Sequence, residues 1–163
     1  MEERFPFFQD KSWACSFSQI QWNQENIGSA KLEFIAYKFG FHFDGHRAIN
    51  DCEALYEILQ NKLQVSNDLV LKQLIENAEL KETRIYALNS KFDTKDILKA
   101  RGYRWNIEKR QWYLSGVEIN IANEVDWLKL NIYNNKQFQI EIEEIDSLSR
   151  FSTRSGNLEM QNH

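Results

Sequence analysis

Two residues whose side chains can take part in hydrolytic chemistry, His46 and Asp51, are separated by four residues in the stretch GHRAINDCEAL. A histidine titrates near neutral pH and can accept a proton from water, whereas a carboxylate is a hard oxygen ligand for divalent cations. The same two residues also fit an ordinary helix start, because an aspartate in the first turn interacts favourably with the helix dipole. On their own they leave both interpretations open.

The elements around this pair are predicted to be two helices joined by a short connection. Apolar residues at helical spacing predict a helix from Ser29 that ends at Gly40, a favourable residue for a helix stop. A second helical pattern begins at about Arg47, so that Asp51 falls in its first turn. The histidine is therefore predicted on a loop and the aspartate on a helix.

The rest of the chain divides by its apolar periodicity. Residues 12–22 alternate between apolar and small polar side chains, which predicts a strand, and residues 66–80 form a third helical pattern. The pattern of residues 82–146 predicts the order β-α-β-β-α-β, which makes a small second domain. Residues 154–163 are polar and are predicted to be frayed.

The amino-acid composition excludes several classes of protein. The chain has 163 residues, 42% of them hydrophobic, and a formal net charge of −4, so it can bury a core but is not a globally basic nucleic-acid binder. Its two cysteines, Cys15 and Cys52, belong to no CxxC pair, which argues against structural zinc and a disulfide scaffold. Without a long apolar run or a signal-peptide pattern, the sequence predicts a soluble cytoplasmic protein with no membrane partner.

Three stretches in order, KSWACSFSQIQW, SAKLEFIAYKFGF and GHRAINDCEALYEIL, carry a family resemblance. They resemble the C-terminal part of DEDDh-type 3′–5′ exonucleases, relatives of the proofreading subunit of bacterial replicative DNA polymerase. That family's third motif is a histidine, four residues and an aspartate, which His46 and Asp51 match. The resemblance implies that His46 is the general base and Asp51 a metal ligand. In the family the site uses two Mg²⁺ or Mn²⁺ ions to cleave phosphodiester bonds at DNA or RNA 3′ ends.

The match covers roughly residues 1–62 and lacks two parts of the family's site. An Asp-x-Glu on the first strand and an Asp at the start of a middle helix have no counterpart before His46. One histidine and one carboxylate cannot hold two divalent ions tightly, so we expect little or no nuclease activity from this chain alone. The two helices would expose an apolar face unless a missing N-terminal fragment or another copy covered it.

A second candidate surface lies in a basic and aromatic stretch. Residues 91–113 contain seven Lys or Arg and three Asp or Glu, a local charge of +4. Cations of this stretch could contact phosphates while its aromatic rings stack on bases; alternatively, the aromatic residues build the core of the small domain. The candidate nucleic-acid residues are Lys95, Arg101, Arg104, Trp105, Lys109 and Trp112. The patterns KARGYRW and DSLSRFS resemble the accessory C-terminal domain of some bacterial DEDDh proteins, a resemblance that indicates architecture only.

Together these observations predict an α+β protein. The helical C-terminal part of a ribonuclease H-like exonuclease domain is expected at residues 1–62, with a linking helix at 63–81. An accessory β-α-β-β-α-β domain is expected at residues 82–153, and a flexible tail at 154–163. The predicted function is an incomplete 3′–5′ exonuclease. The alternatives are a non-catalytic module that binds nucleic acid or protein, and a truncated reading frame without a separate role.

Overall fold

A computed structural model describes residues 4–163 as two compact units. The helical unit comprises residues 13–79, and the sheet unit comprises residues 80–163 together with 4–12. Within the described residues there are five α-helices and one five-stranded antiparallel sheet, so the expected α+β class is confirmed. None of the helices in residues 4–163 has the length and apolar character needed to cross a membrane.

The helical unit contains α1 (Leu32–Lys38), α2 (Ala48–Gln60) and α3 (Val70–Glu79). As predicted, α1 is followed by Gly40, whose positive φ of 87° suits a residue without a side chain. The apolar faces of all three helices meet in one core with the segment that precedes α1. Its most deeply buried members are Ile27, Ile35, Ala36, Ile58, Leu63 and Val70.

The strand predicted at residues 12–22 is absent from the described helical unit, where turns and a short 3₁₀-helix take its place. The backbone oxygen of Cys15 accepts bonds from the amides of Ser18 and Gln19, and the Gln19 side chain accepts a bond from the Cys15 amide. The indole of Trp22 donates to the Ser16 carbonyl at 2.8 Å. These local bonds satisfy the backbone in a compact form, whereas a strand would need a paired neighbour.

The helix expected to link two domains belongs instead to the helical unit. Val70 and Leu74 on α3 are buried against Ile58 and Leu63. The Val70 amide also donates to the carbonyl of Asn61 at 3.0 Å, which joins the start of α3 to the end of α2. The boundary between the units therefore falls after α3, later than the expected end of the first domain at residue 62, because the apolar face of this helix completes the helical core.

A buried carboxylate braces the connection between α2 and α3. Glu25 is 4% exposed, and one of its oxygens accepts bonds from the amides of Val65 and Ser66 at 2.8 and 3.1 Å. Burial opposes the charged form, but these hydrogen bonds outweigh it and lower the pKa of Glu25. The ionised carboxylate therefore stabilises the folded unit.

We expect Glu25→Gln to lower the free energy of unfolding at pH 7 by about 1 to 2 kcal/mol, because charged hydrogen bonds become neutral ones. Because the pKa of Glu25 is lowered in the folded state, its contribution to the free energy of unfolding is complete at pH values above the unfolded glutamate pKa of about 4.3. It is lost as pH falls through the folded value, so the difference between the two proteins should shrink in acid. Urea unfolding at pH 7 and pH 3 measures this, with the exposed Glu79→Gln as control. An equal loss at both pH values would contradict the assignment.

The sheet unit follows the predicted order β-α-β-β-α-β over residues 82–146 and then adds a fifth strand. The strands align in the order β2-β3-β1-β4-β5, so the first strand in sequence lies in the centre. The elements are β1 (Glu82–Ala87), α4 (Lys95–Arg101), β2 (Arg104–Asn106), β3 (Gln111–Gly116), α5 (Ile121–Asn131), β4 (Gln139–Ile145) and β5 (Asn157–Asn162).

One face of this sheet carries the core. Because side chains alternate along a strand, Ile85 shares a face with its cross-strand partners Leu114 and Ile142. Leu98 of α4 and Leu128 of α5 are fully buried in the same apolar cluster. The helices therefore cover this face, which we call the helix face, and leave the polar residues of the strands on the opposite face.

The expected flexible tail at residues 154–163 is wrong in its central part, because β5 pairs with β4 along its whole length. Ile142 lies opposite Glu159, and Phe138 exchanges two backbone hydrogen bonds with His163. The edge of β4 offers unpaired backbone groups, and pairing with a polar segment satisfies them without requiring a buried side chain.

Candidate functional site

His46 lies on the loop between α1 and α2 and has an exposed side chain. Its φ of 72° is in the left-handed region, which a residue other than glycine seldom adopts. Asp51 lies in the first turn of α2, is half-buried, and its amide donates to the Arg47 carbonyl at 3.1 Å. The predicted arrangement of a loop histidine ahead of a helical aspartate is thus present.

A second carboxylate approaches the same point, next to Gly45. A side-chain carbon built on Gly45 would lie 3.9 Å from Oδ1 of Asp51 and 3.6 Å from Oε1 of Glu33. Glu33 stands in the first turn of α1, so the starts of two helices meet at this glycine. Glu33 belongs to no motif in the sequence, and only the fold brings it near Asp51. The loop is tied to α2 by the Asn50 side chain, which donates to the Asp44 carbonyl at 2.6 Å.

The residues present do not by themselves fit the pair of divalent ions that the family resemblance implies. Among residues 4–163, no three or more His, Cys, Asp or Glu side chains are grouped so that they could hold a metal ion. Asp51 and Glu33 approach one glycine, but two carboxylates leave most of the ligand positions of a two-metal site unfilled. What the site does contain is two carboxylates that approach Gly45 and an exposed histidine at the next position in the sequence.

The predicted nucleic-acid residue Arg101 is already engaged within the sheet unit. Its guanidinium donates to the carboxylate of Glu124 at 2.9 Å, and the hydroxyl of Tyr103 donates to the other oxygen of that carboxylate at 3.0 Å. Glu124 is 4% exposed, and Arg101 also lies 5.0 Å from the ring centre of Trp127. Arg101 therefore joins α4 to α5 and is not a free cation for phosphate.

Lys109 is likewise held by carboxylates on the polar face of the sheet. Its ammonium forms an ion pair with Glu141, lies 4.0 Å from Glu143, and stands 4.2 Å above the ring centre of Tyr86. Tyr86 donates to Glu143 at 2.7 Å, and its burial, followed by that carboxylate, raises the pKa of the Tyr86 hydroxyl. Lys109 thus belongs to a structural network that joins the β2–β3 hairpin to β4.

The remaining candidates lie on two different faces. Arg104 stands opposite Tyr113, and the next residue, Trp105, stands opposite Trp112, so Arg104 and Trp105 point to opposite sides of the sheet. The rings of Trp105 and Trp112 are in contact on the helix face, with centres 5.4 Å apart. Trp112 packs against the core, as the alternative interpretation proposed, whereas Trp105 is 48% exposed.

The six predicted residues therefore do not form one surface. Lys95 lies at the start of α4, with its ammonium 4.3 Å from the ring centre of Phe92. Arg101 and Lys109 are paired with carboxylates, and Arg104 points to the other side of the sheet. Comparison with protein-family models, with curated proteins and with solved structures finds no match for this chain.

Proposed function

We propose that the chain is the C-terminal part of a DEDDh-type 3′–5′ exonuclease with a ribonuclease H-like fold, followed by an accessory sheet domain. Its substrates are DNA or RNA 3′ ends, its location is the cytoplasm, and it has little or no activity alone. The observation that carries the proposal is the position of His46 on the loop directly before α2, with Asp51 in the first turn of that helix. Both cysteines are free, in line with a reducing compartment.

In this proposal His46 accepts the proton of the attacking water. Its exposure and its place on a loop allow the imidazole to approach a substrate phosphate, and histidine titrates near neutral pH. Asp51 is fixed by α2, whose first turn also favours a negative charge. The carboxylates absent from this chain would come from a separate segment that carries the Asp-x-Glu strand and the middle aspartate.

Reconstitution in trans tests this proposal. Mixing the chain with a fragment that supplies the two missing motifs is expected to restore Mg²⁺-dependent release of nucleoside monophosphates, while the chain alone releases little. His46→Ala should then reduce the rate by about 10²-fold or more, the usual contribution of a general base. The rate of release from a labelled single strand is the measurement.

His42 provides the matched control for this substitution. It is an exposed histidine on the same loop, and its ring lies 5.8 Å from that of Tyr37. His42→Ala should leave the reconstituted rate close to that of the parent. Equal digestion by the parent and His46→Ala would show that His46 is not the base, and failure of every reconstitution would remove the nuclease proposal.

A further inference from the structure

A row of aromatic and lysine side chains follows α4 and ends on the β2–β3 hairpin. The ammonium of Lys95 lies 4.3 Å from the ring centre of Phe92, and that of Lys99 lies 5.9 Å from the ring centre of Trp112. The ring of Trp112 in turn contacts that of Trp105. We call Phe92, Lys95, Lys99, Trp105 and Trp112 the aromatic–lysine strip.

Much of the strip faces solvent. Phe92 is 77% exposed and Trp105 is 48% exposed, although large aromatic side chains are usually placed in a core. Neither Lys95 nor Lys99 forms an ion pair in the part of the chain that the structure describes, in contrast to Arg101 and Lys109. The two lysines are four residues apart on α4, so they project from the same side of the helix.

We propose that the aromatic–lysine strip binds single-stranded nucleic acid. Exposed rings provide surfaces on which unpaired bases stack, and neighbouring ammonium groups attract the phosphates between those bases. The strip combines both groups in contact with one another, at the edge strand β2 and along α4. This surface belongs to the sheet unit, whereas His46 and Asp51 belong to the helical unit, and the inference does not depend on the proposed nuclease site.

A single strand fits this chemistry better than an acidic peptide does. An acidic peptide would be attracted by the lysines but would leave the exposed ring of Trp105 without a stacking partner. Asp93 and Asp96 lie beside Lys95 in sequence and reduce the local positive charge. We therefore expect modest affinity, with stacking supplying much of it.

The test is binding of the full chain to fluorescein-labelled dT12 and rU12, followed by fluorescence anisotropy at low salt with EDTA to prevent hydrolysis. Trp105→Ala should weaken binding about tenfold, in line with the loss of one stacked base, and Trp105→Phe should restore most of it. Lys95→Ala/Lys99→Ala should weaken binding and flatten its dependence on salt. A difference between dT12 and rU12 would show which of the two oligonucleotides the strip prefers.

Arg104 gives a control of the same charge beside the strip. It is exposed and adjacent to Trp105 but points to the opposite face of the sheet, so Arg104→Ala should change affinity less than Lys99→Ala does. Circular dichroism confirms that each variant is folded. The proposal is overturned if neither oligonucleotide binds, if Trp105→Phe fails to restore binding that Trp105→Ala loses, or if Arg104→Ala has the larger effect. Displacement by polyglutamate as effective as by unlabelled dT12 would show an acidic-polymer site instead.

Discussion

Glu124→Ala is expected to lower the free energy of unfolding of the sheet unit by about 3 kcal/mol, because it removes the acceptor shared by two donors. The buried carboxylate of Glu124 accepts bonds from Arg101 and Tyr103, and Tyr103 is 3% exposed with its ring stacked on Trp127. Without the carboxylate, the buried Tyr103 hydroxyl loses its partner, and α5 loses its ion pair with Arg101 of α4. Chemical denaturation of the parent and the variant, followed by circular dichroism, measures the difference.

Two further variants separate charge from packing at this position. Glu124→Gln retains an oxygen that can accept from Tyr103 but loses the ion pair with Arg101, so its effect should be intermediate. Asp126→Ala removes an exposed acid from the same helix and should change stability by no more than about 0.5 kcal/mol. If Glu124→Ala were no more harmful than Asp126→Ala, the network would not hold the two helices together.

Gly156→Ala is expected to destabilise the sheet unit by about 2 to 3 kcal/mol, because the β4–β5 connection leaves no room for a side chain. A carbon built on Gly156 would lie 2.0 Å from the backbone oxygen of Glu144, so the backbone itself must move. That movement would also break the 3.0 Å hydrogen bond that the Gly156 amide donates to the Glu143 carboxylate. The same carboxylate accepts the hydrogen bond of the Tyr86 hydroxyl. Hydrogen exchange should show faster exchange of β5 amides than in the parent.

Gly28 supplies the control for this glycine. A side-chain carbon there would meet no atom within 4 Å, and its φ is not in the left-handed region. Gly28→Ala should therefore be neutral, or slightly stabilising through the lower entropy of the unfolded chain. Retention of β5 protection and of full stability in Gly156→Ala would mean that the connection can adjust without leaving its strand.

Local patterns predicted the elements whose apolar residues make a buried face. The helix expected from about Arg47 is α2, although the side chains that it buries, Ala54 and Ile58, differ from the expected apolar face of Ala48, Cys52, Leu55 and Leu59. As expected, β4 buries Ile140 and Ile142 at alternate positions. Gly40 correctly predicted the end of the first helix, because its backbone has a positive φ that glycine adopts easily. The position of His46 ahead of a helix likewise followed from the sequence, because it depends on the local order of residues.

What the sequence could not predict depends on residues far apart in the chain. The partner of Arg101 is 23 residues away, and that of Lys109 is 32 residues away, so the two cations looked available for phosphate. The β5 strand was missed because its side chains are largely polar, although Leu158 and Met160 alternate as strand residues do. The approach of Glu33 to Asp51 required the packing of α1 beside α2.

Because β1 lies in the centre of the sheet, we expect the sheet unit to fold more slowly than the helical unit. Closing the ladder between β1 and β4 brings together residues such as Tyr86 and Glu143, which are 57 positions apart, and the entropy of that long loop is lost before its contacts form. The helices of the other unit pack mainly against their neighbours in sequence, α1 on α2 and α2 on α3. Its core can therefore assemble quickly, whereas the sheet unit spends longer with its apolar strands unprotected from water and from other chains.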